Sequence, residues 1–313
     1  MKGLEISRRF FEEYGRRMLE ENFPSILPLI AVGLVGSGSE CLGYDDEVSR
    51  DHDFEPGFCI FIPGEDIVDR QTAFKIERAY AKLPKEYEGL KRSVISPVGG
   101  SRHGVIRIDE FYEEKVGSAS GALSAREWLT IPEHALLEAT SGEVFFDNYG
   151  LFSDIRSRLS AMPEDIRLKK LAGALIIMAQ SGQYNYNRCL AHGETGAAQL
   201  AAIEFARSAM HAVFLLNGRY MPYYKWSFRA MRDLPILSQL ADTVEFLLSG
   251  DNDAANAAVK SDIIEDVAQM IISELMEQKI TEAICGDLEK HAYSVNDRIS
   301  DPNLRNMSVF AGV

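Results

Sequence analysis

The sequence predicts an α+β protein whose C-terminal half is all-helical, and two observations support this prediction. Before about residue 150, short apolar runs closed by glycine alternate with segments of helical spacing. After that point strand patterns almost disappear, and apolar residues recur one helical turn apart over 164–181, 196–217 and 261–277. We therefore expect two domains, 1–150 and 151–313.

The N-terminal half carries the strand patterns. In chain order it predicts a helix over 5–22, a buried strand over 29–36, a strand over 51–62 interrupted near Pro56 and Gly57, a helix over 66–83 and two strand-like pieces within 93–108. Asp109 follows the last of these strands and occupies the position of a helix N-cap before EFYEEKVG. At the other end of the chain, the C-terminal residues are expected to be loosely ordered.

The charge balance limits the classes of partner. The chain has 313 residues and a formal net charge of −14, which argues against non-specific binding to nucleic acid. Residues 156–232 are the exception, with 11 basic against 4 acidic residues. This segment either presents a face to an anionic ligand or neutralises the acidic segments inside the protein, and the sequence favours neither interpretation.

Targeting signals and cysteine usage predict a cytoplasmic protein. No apolar run approaches the roughly 20 residues of a membrane span, so no membrane partner is expected. The N-terminal segment has no apolar signal core and carries acidic residues from Glu5 onwards. The four cysteines are widely spaced and include no CxxC pair, which is typical of reduced thiols.

The segment VGSGSECLGYDDEVSRDHDFEPGF, residues 35–58, carries the most specific chemistry. A strand ends in Gly-Ser-Gly-Ser, and the next predicted strand begins with Asp51 and Asp53. Alternation along a strand puts these two carboxylates on one face, where they repel each other unless a cation lies between them. Mg²⁺ suits such a pair, because it takes few protein carboxylates and completes its shell with water and phosphate oxygens. Glycines in the preceding turn permit close approach of the backbone to a phosphate.

This pattern resembles the DNA polymerase β-like nucleotidyltransferase superfamily, in which a strand, a Gly-Ser turn and an Asp-x-Asp strand follow one another. The segments GSGSE, SRDHDFEPGF, SGEVFFDNYG and RYMPYYKW are more closely similar to a bacterial family of uncharacterised proteins with such a domain and a helical C-terminal half. The resemblance implies a mixed sheet flanked by helices and metal-dependent transfer of a nucleoside monophosphate. It assigns Asp51 and Asp53 to the metal and to catalysis, and Gly38 and Ser39 to the nucleotide, with Gly36 and Ser37 as the alternative frame.

The superfamily also has a third carboxylate on a later strand, which helps to deprotonate the attacking hydroxyl. The strand-like segment GVIRI, residues 104–108, contains no acid. Asp109 lies just beyond it, and Glu143 and Asp147 flank a further apolar run, so none of the three is assigned. The unplaced acid leaves open a nucleotide-binding module without turnover as the alternative to an enzyme.

The helical half contributes a basic and aromatic segment, RYMPYYKWSFRAMR, residues 219–232. Lys225 and Arg229 are four residues apart and would share one face of a helix that begins after Pro222. We assign Lys225 to the nucleotide phosphates, although an aromatic helix packed in the core is the alternative. The predicted partners are thus a nucleoside triphosphate, with AMP as the transferred group, and a small-molecule or protein acceptor, with Mg²⁺ as the cofactor.

Overall fold

The computed structural model describes residues 2–48, 55–92 and 103–313. The chain divides into two compact units: unit 1 comprises Met1–Leu123 and Ala135–Ser160, and unit 2 comprises Ser124–His134 and Ala161–Val313. All of the described strands belong to unit 1, and the described part of unit 2 is helical. The expectation of an α+β chain with an all-helical C-terminal half is confirmed.

Unit 1 combines a small mixed sheet with helices. Its elements are α1 (Gly3–Phe10), a π-helical segment (Phe11–Gly15), α2 (Arg16–Asn22), β1 (Ala31–Leu34), α3 (Ser39–Leu42), β2 (Cys59–Ile62), α4 (Arg70–Ala81), β3 (Glu86–Tyr87), β4 (Leu90–Lys91), β5 (Gly104–Arg107) and α5 (Ile108–Val116). Residues Ser124–His134 belong to unit 2. The chain then returns to unit 1, which ends with β6 (Glu143–Asp147) and α8 (Leu151–Ser160).

The principal sheet has the strand order β5-β2-β1-β6. β1 is antiparallel to both of its neighbours, whereas β2 and β5 are parallel. Every residue of β1 and β2 is buried, as continuous apolar runs predict for central strands covered on both faces. β3 and β4 form a separate two-stranded sheet.

The N-terminal helix closes one face of this sheet with aromatic residues. Phe10 and Phe11 are adjacent in sequence and both fully buried, and each has its ring within 6.0 Å of the Phe58 ring, centre to centre. Gly15 lies against the same ring, where a Cβ would collide with Phe58. The helix expected over 5–22 therefore forms, but with a π-helical segment in its middle that accommodates two consecutive core residues.

Unit 2 is a helical bundle. Its helices are α6 (Ala125–Thr130), the start of α7 (Glu133–Thr140), α9 (Glu164–Met178), α10 (Asn187–Ala191), α11 (Thr195–Leu216), α12 (Tyr224–Arg232), α13 (Leu240–Ser249), α14 (Ala254–Glu277), α15 (Leu288–Asp297) and α16 (Pro302–Arg305). α9 packs between α11 and α15. A π-helical segment, Ala179–Tyr186, joins α9 directly to α10.

Two expectations are wrong within the described residues. The C-terminal residues are ordered: the buried Lys169 ammonium donates to the Met307 carbonyl at 2.7 Å, and Val309–Gly312 forms a 3₁₀ turn against α9. Asp109 is not an N-cap, because α5 begins at Ile108 and is preceded by Arg107. The described part of the second strand is also short, starting at Cys59, since Pro56 lacks an amide and Gly57 packs on the His103 ring.

Candidate functional site

One edge of the principal sheet gathers the ends of four strands. Gly33 pairs with Cys59, so the end of β1 lies beside the start of β2. Leu34 pairs with Glu143 and Cys59 pairs with Gly104, so β6 and β5 begin at the same edge. We call this the turn edge, because residues 35–38, which link β1 to α3, leave the sheet there.

The backbone of this link requires glycine at two positions. Gly36 has φ +128°, and Gly38 has φ +127° and ψ +151°, a conformation that is essentially confined to glycine. Gly38 immediately precedes α3, which begins at Ser39 and ends at Leu42, and Gly43 follows it in the left-handed region. The tight Gly-Ser turn predicted from the sequence is thus present, with Gly38 and Ser39 at its junction with the helix.

Hydrogen bonds join this turn and α3 to Ser141 and Gly142, the two residues that precede β6. The Ser141 hydroxyl donates to the Gly36 carbonyl at 2.8 Å. The Gly142 amide donates to the Cys41 carbonyl at 2.9 Å, and the Arg156 guanidinium donates to the Gly142 carbonyl at 2.8 Å. A Cβ on Gly142 would collide with the backbone of β1, so glycine there allows the close approach. The turn and α3 are therefore held against the residues that precede β6, and Arg156 of α8 binds those residues.

Arg156 brings a poorly compensated positive charge to the turn edge. Its Nη1 atom is buried and has no hydrogen-bond partner among the residues that the structure describes. Burial lowers the pKa of Arg156, and the neighbouring Tyr112, Cys41 and Glu143 counteract that shift. A guanidinium in this state favours an anion nearby, since burying a cation without a counter-charge is costly.

The entrance to β2 lies at the same edge and is held by polar contacts. The Glu55 carboxylate lies 3.1 Å from Nδ1 of His103, and both side chains are largely buried. A Cβ on Gly57 would lie 2.7 Å from the imidazole, so this glycine makes room for the ring. The Ser7 hydroxyl of α1 donates to the Gly57 carbonyl. Asp51 and Asp53 precede this entrance in the chain and lie outside the described residues.

The three candidates for a third carboxylate differ in their place on the sheet. Asp109 follows β5 at the opposite edge, where its Oδ2 would lie 3.7 Å from a Cβ on Gly64. Asp147 pairs with Ala31 at that edge and its carboxylate accepts the amides of Gly150 and Ser153. Glu143 lies at the turn edge, but its carboxylate forms an ion pair with Arg8.

Lys225 is an exposed residue in the first turn of α12, the helix that was expected after Pro222. Its Nζ lies 5.0 Å from the centre of the Trp226 ring, and the guanidinium carbon of Arg229 lies 5.9 Å from it. Such cation–π contacts orient both cations around one indole. The bases thus share one side of α12, as their spacing predicted, and Lys225 remains accessible to a ligand.

Sequence reasoning did not identify a buried charged group in unit 2, which we call the Glu133 cluster: Glu133, Lys170, His211 and the backbone amide of Met221. The Glu133 carboxylate lies 2.7 Å from Nε2 of His211 and 3.6 Å from Nζ of Lys170, and it accepts the Met221 amide at 3.0 Å. The side chains of Glu133 and Lys170 are each 6% exposed. Burial alone would raise the pKa of Glu133, but His211, Lys170 and the Met221 amide together lower it.

Comparison with known proteins gives one match. Residues 128–227 match a family described as a domain of unknown function (DUF4037). The matched range contains the whole Glu133 cluster and the segments SGEVFFDNYG and RYMPYYKW, and it begins after the Gly-Ser turn and the Asp-x-Asp segment. No curated protein and no solved structure matches the chain. In the described ranges, none of the helices is long and apolar enough to span a membrane.

Proposed function

We propose that the chain is a metal-dependent nucleotidyltransferase. It moves a nucleoside monophosphate, AMP in the first instance, from a triphosphate to a hydroxyl of a small molecule or a protein. The acceptor oxygen forms a bond to the α-phosphorus, pyrophosphate leaves, and the hydroxyl proton passes to a base. The observation that carries this proposal is the glycine turn at the end of a buried strand, backed by the charge of Arg156.

The turn has the properties that a triphosphate requires. Gly36 and Gly38 have positive φ angles that glycine readily adopts, and because they carry no side chain a ligand can approach their backbone closely. The hydroxyls of Ser37 and Ser39 are further donors in the same four residues. Arg156 supplies positive charge at the same edge, which favours a polyanion over a neutral ligand there. We assign the β- and γ-phosphates to Gly38 and Ser39.

Asp51 and Asp53 are the residues that would hold Mg²⁺, because paired carboxylate oxygens are ligands of the type that this ion takes. In the parts of the chain that the structure describes, no cluster of three or more His, Cys, Asp or Glu residues could hold a metal ion. When bound, Mg²⁺ would neutralise charge on the transferring phosphate. Lys225 is the cation of the helical unit that we assign to the phosphates, since it is exposed and its neighbours orient it.

A nucleotide-binding module without turnover is the second candidate. It is favoured by the positions of the acids: Asp109 and Asp147 lie at the edge opposite the turn, and Glu143 is paired with Arg8. If none of these carboxylates accepts the proton of the acceptor, triphosphate binds but transfer is slow. This candidate keeps the roles of Gly38, Ser39 and Lys225 and removes only the chemical step.

The decisive experiment measures pyrophosphate release and nucleotide binding together. Wild type with Mg²⁺ and each of the four nucleoside triphosphates is assayed across a panel of acceptors. Asp51→Asn and Asp53→Asn should lose release by orders of magnitude, whereas Asp154→Asn, a change on the exposed face of α8, should retain it. Saturable binding without release in wild type favours the binding module, and the absence of both rejects both candidates.

A further inference from the structure

The Glu133 cluster holds the segment that leads into α12. After α11 ends at Leu216, the chain turns at Gly218 in the left-handed region and runs through residues 219–223 to the start of α12. The Met221 amide, in the middle of this run, donates to Oε2 of Glu133 at 3.0 Å. A hydrogen bond to an ionised acceptor is stronger than one between neutral groups, so this contact is an effective anchor.

Neighbouring contacts fix the same segment on both sides of Met221. Tyr220, the preceding residue, is buried, and burial and the charge of Glu133 raise the pKa of its phenol. His134, the residue after Glu133, has its ring 5.7 Å from that of Tyr223, edge to face. Glu133 and His134, at the start of α7, therefore contact the run 219–223 at Met221 and at Tyr223.

The rest of the cluster keeps this anchor charged. His211 lies 2.7 Å and Lys170 3.6 Å from the same oxygen, Oε1 of Glu133. Without them, burial would favour the protonated carboxyl, which accepts the Met221 amide less strongly. The two basic residues are thus directed at one carboxylate oxygen while the other oxygen is left for the amide.

We infer that Glu133 is a positioning residue for the nucleotide. By anchoring Met221 it fixes the start of α12, and so the place and direction of Lys225, two residues beyond Tyr223. The inference rests on the proposed function in so far as Lys225 binds the triphosphate. It assigns to Glu133 no contact with the nucleotide, so its effect passes through Lys225.

The test combines nucleotide affinity with local hydrogen exchange. Lys225→Met and Glu133→Ala should each weaken binding of Mg²⁺–ATP by about tenfold or more, the value of one strong hydrogen bond. The double variant should bind little more weakly than Lys225→Met alone, because both changes remove the same interaction. In the free protein, Glu133→Ala should speed amide exchange in the peptide 219–226 by about tenfold or more.

Two variants separate positioning from stability. Glu133→Gln retains an oxygen that can accept the Met221 amide, and should restore binding and exchange to within about threefold of wild type. His211→Gln removes one of the two basic partners of Oε1 and retains Lys170 and the Met221 contact, so it should lower the melting temperature and weaken affinity by no more than about threefold. If Glu133→Ala does not melt cooperatively, Glu133→Asp replaces it, because its shorter side chain withdraws the carboxylate from the amide.

The outcomes are distinguishable. If Glu133→Ala and His211→Gln have equal losses of stability and both retain wild-type affinity and exchange, Glu133 is only a stabilising residue and the inference fails. If wild type binds none of the four nucleoside triphosphates, the proposed function fails. In that case, faster exchange over 219–226 in Glu133→Ala still supports the anchoring of α12, and unchanged exchange overturns it.

Discussion

Replacing Gly38 by alanine tests the backbone on which the proposed phosphate site depends. Gly38 lies between the residues that leave β1 and the first residue of α3, with φ +127° and ψ +151°. An L-residue in this region meets steric clashes between its Cβ and the backbone, and the strain costs about 1–3 kcal/mol. The chain must either bear this cost or move the turn to a conformation that alanine tolerates.

A control variant separates the cost of backbone strain in Gly38→Ala from the ordinary effect of a glycine-to-alanine change. Gly196 lies in the first turn of α11 without a positive φ, and a Cβ at this position would meet no other atom within 4 Å. Gly196→Ala should therefore stabilise the protein, by at most about 1 kcal/mol. Gly38→Ala should destabilise it by about 1–3 kcal/mol, so the two substitutions are expected to have opposite signs.

A third variant provides the matched control for ligand binding. Gly43, at the other end of α3, has φ +74° and ψ +13° and also has open space around it. Gly43→Ala should cost about 1–2 kcal/mol, because this left-handed conformation is unfavourable for alanine. It thus matches the strain of Gly38→Ala without altering the turn edge.

The assays are urea unfolding followed by circular dichroism, and titration with Mg²⁺–ATP. We expect Gly38→Ala to bind Mg²⁺–ATP at least about tenfold more weakly than Gly43→Ala at equal loss of stability. A Gly38→Ala protein as stable as wild type would contradict the assigned backbone conformation. Equal affinities of the two variants would show that the turn does not hold the phosphates.

Three further predictions concern ligand linkage and pH. Mg²⁺ with ATP should raise the melting temperature of wild type and leave Asp51→Asn and Asp53→Asn nearly unmoved, and an equal rise in all three would exclude this metal site. The pKa of Glu133 is lowered from 4.5, so the stability that this carboxylate contributes is present above pH 4.5 and is lost as the pH falls through its folded-state pKa. When urea unfolding is measured at decreasing pH, the free energy of unfolding of Glu133→Gln should therefore fall less steeply than that of wild type. Parallel plots of this free energy against pH for the two proteins would refute the assignment. Burial raises the pKa of Tyr80 to about 12, so its stabilisation should be lost as the pH rises from about 10 to 12. Tyr80→Phe should remove that alkaline loss and cost about 1–3 kcal/mol at neutral pH, because the phenol accepts the buried Phe58 amide; a neutral result in urea unfolding would contradict this.

The strands that could be predicted are those whose sequence signal is local. The apolar runs of β1 and β2 are continuous because both strands are buried on both faces. The start of the second strand was harder to predict from the sequence. Gly57 packs against the His103 ring, and that ring comes from a segment far away in the chain. The turn itself was predictable because two glycines so close together indicate positive φ.

The positions of the acids could not be obtained from spacing. Asp109 follows a strand in the sequence, but only the parallel pairing of β5 with β2 decides that it lies opposite the turn edge. The Glu133 cluster was hidden for a related reason: its carboxylate comes from the start of α7, and its partners come from α9, α11 and the run before α12. Periodicity identifies residues on one helix face, and it carries no information about which helices meet.

The order in which the chain is synthesised gives the Glu133 cluster a further consequence. Glu133 belongs to unit 2, but β6 and α8 of unit 1 are made before any of its partners at 170, 211 and 221. As the nascent chain leaves the ribosome, this carboxylate therefore remains hydrated while the sheet closes around β1. Its complete desolvation has to wait until the residues after α11 are made, so the last contact to form is the one with the Met221 amide. Stalling translation when residue 160 has left the ribosome and residue 221 has not should yield a chain with the sheet assembled and the start of α7 still protease-sensitive.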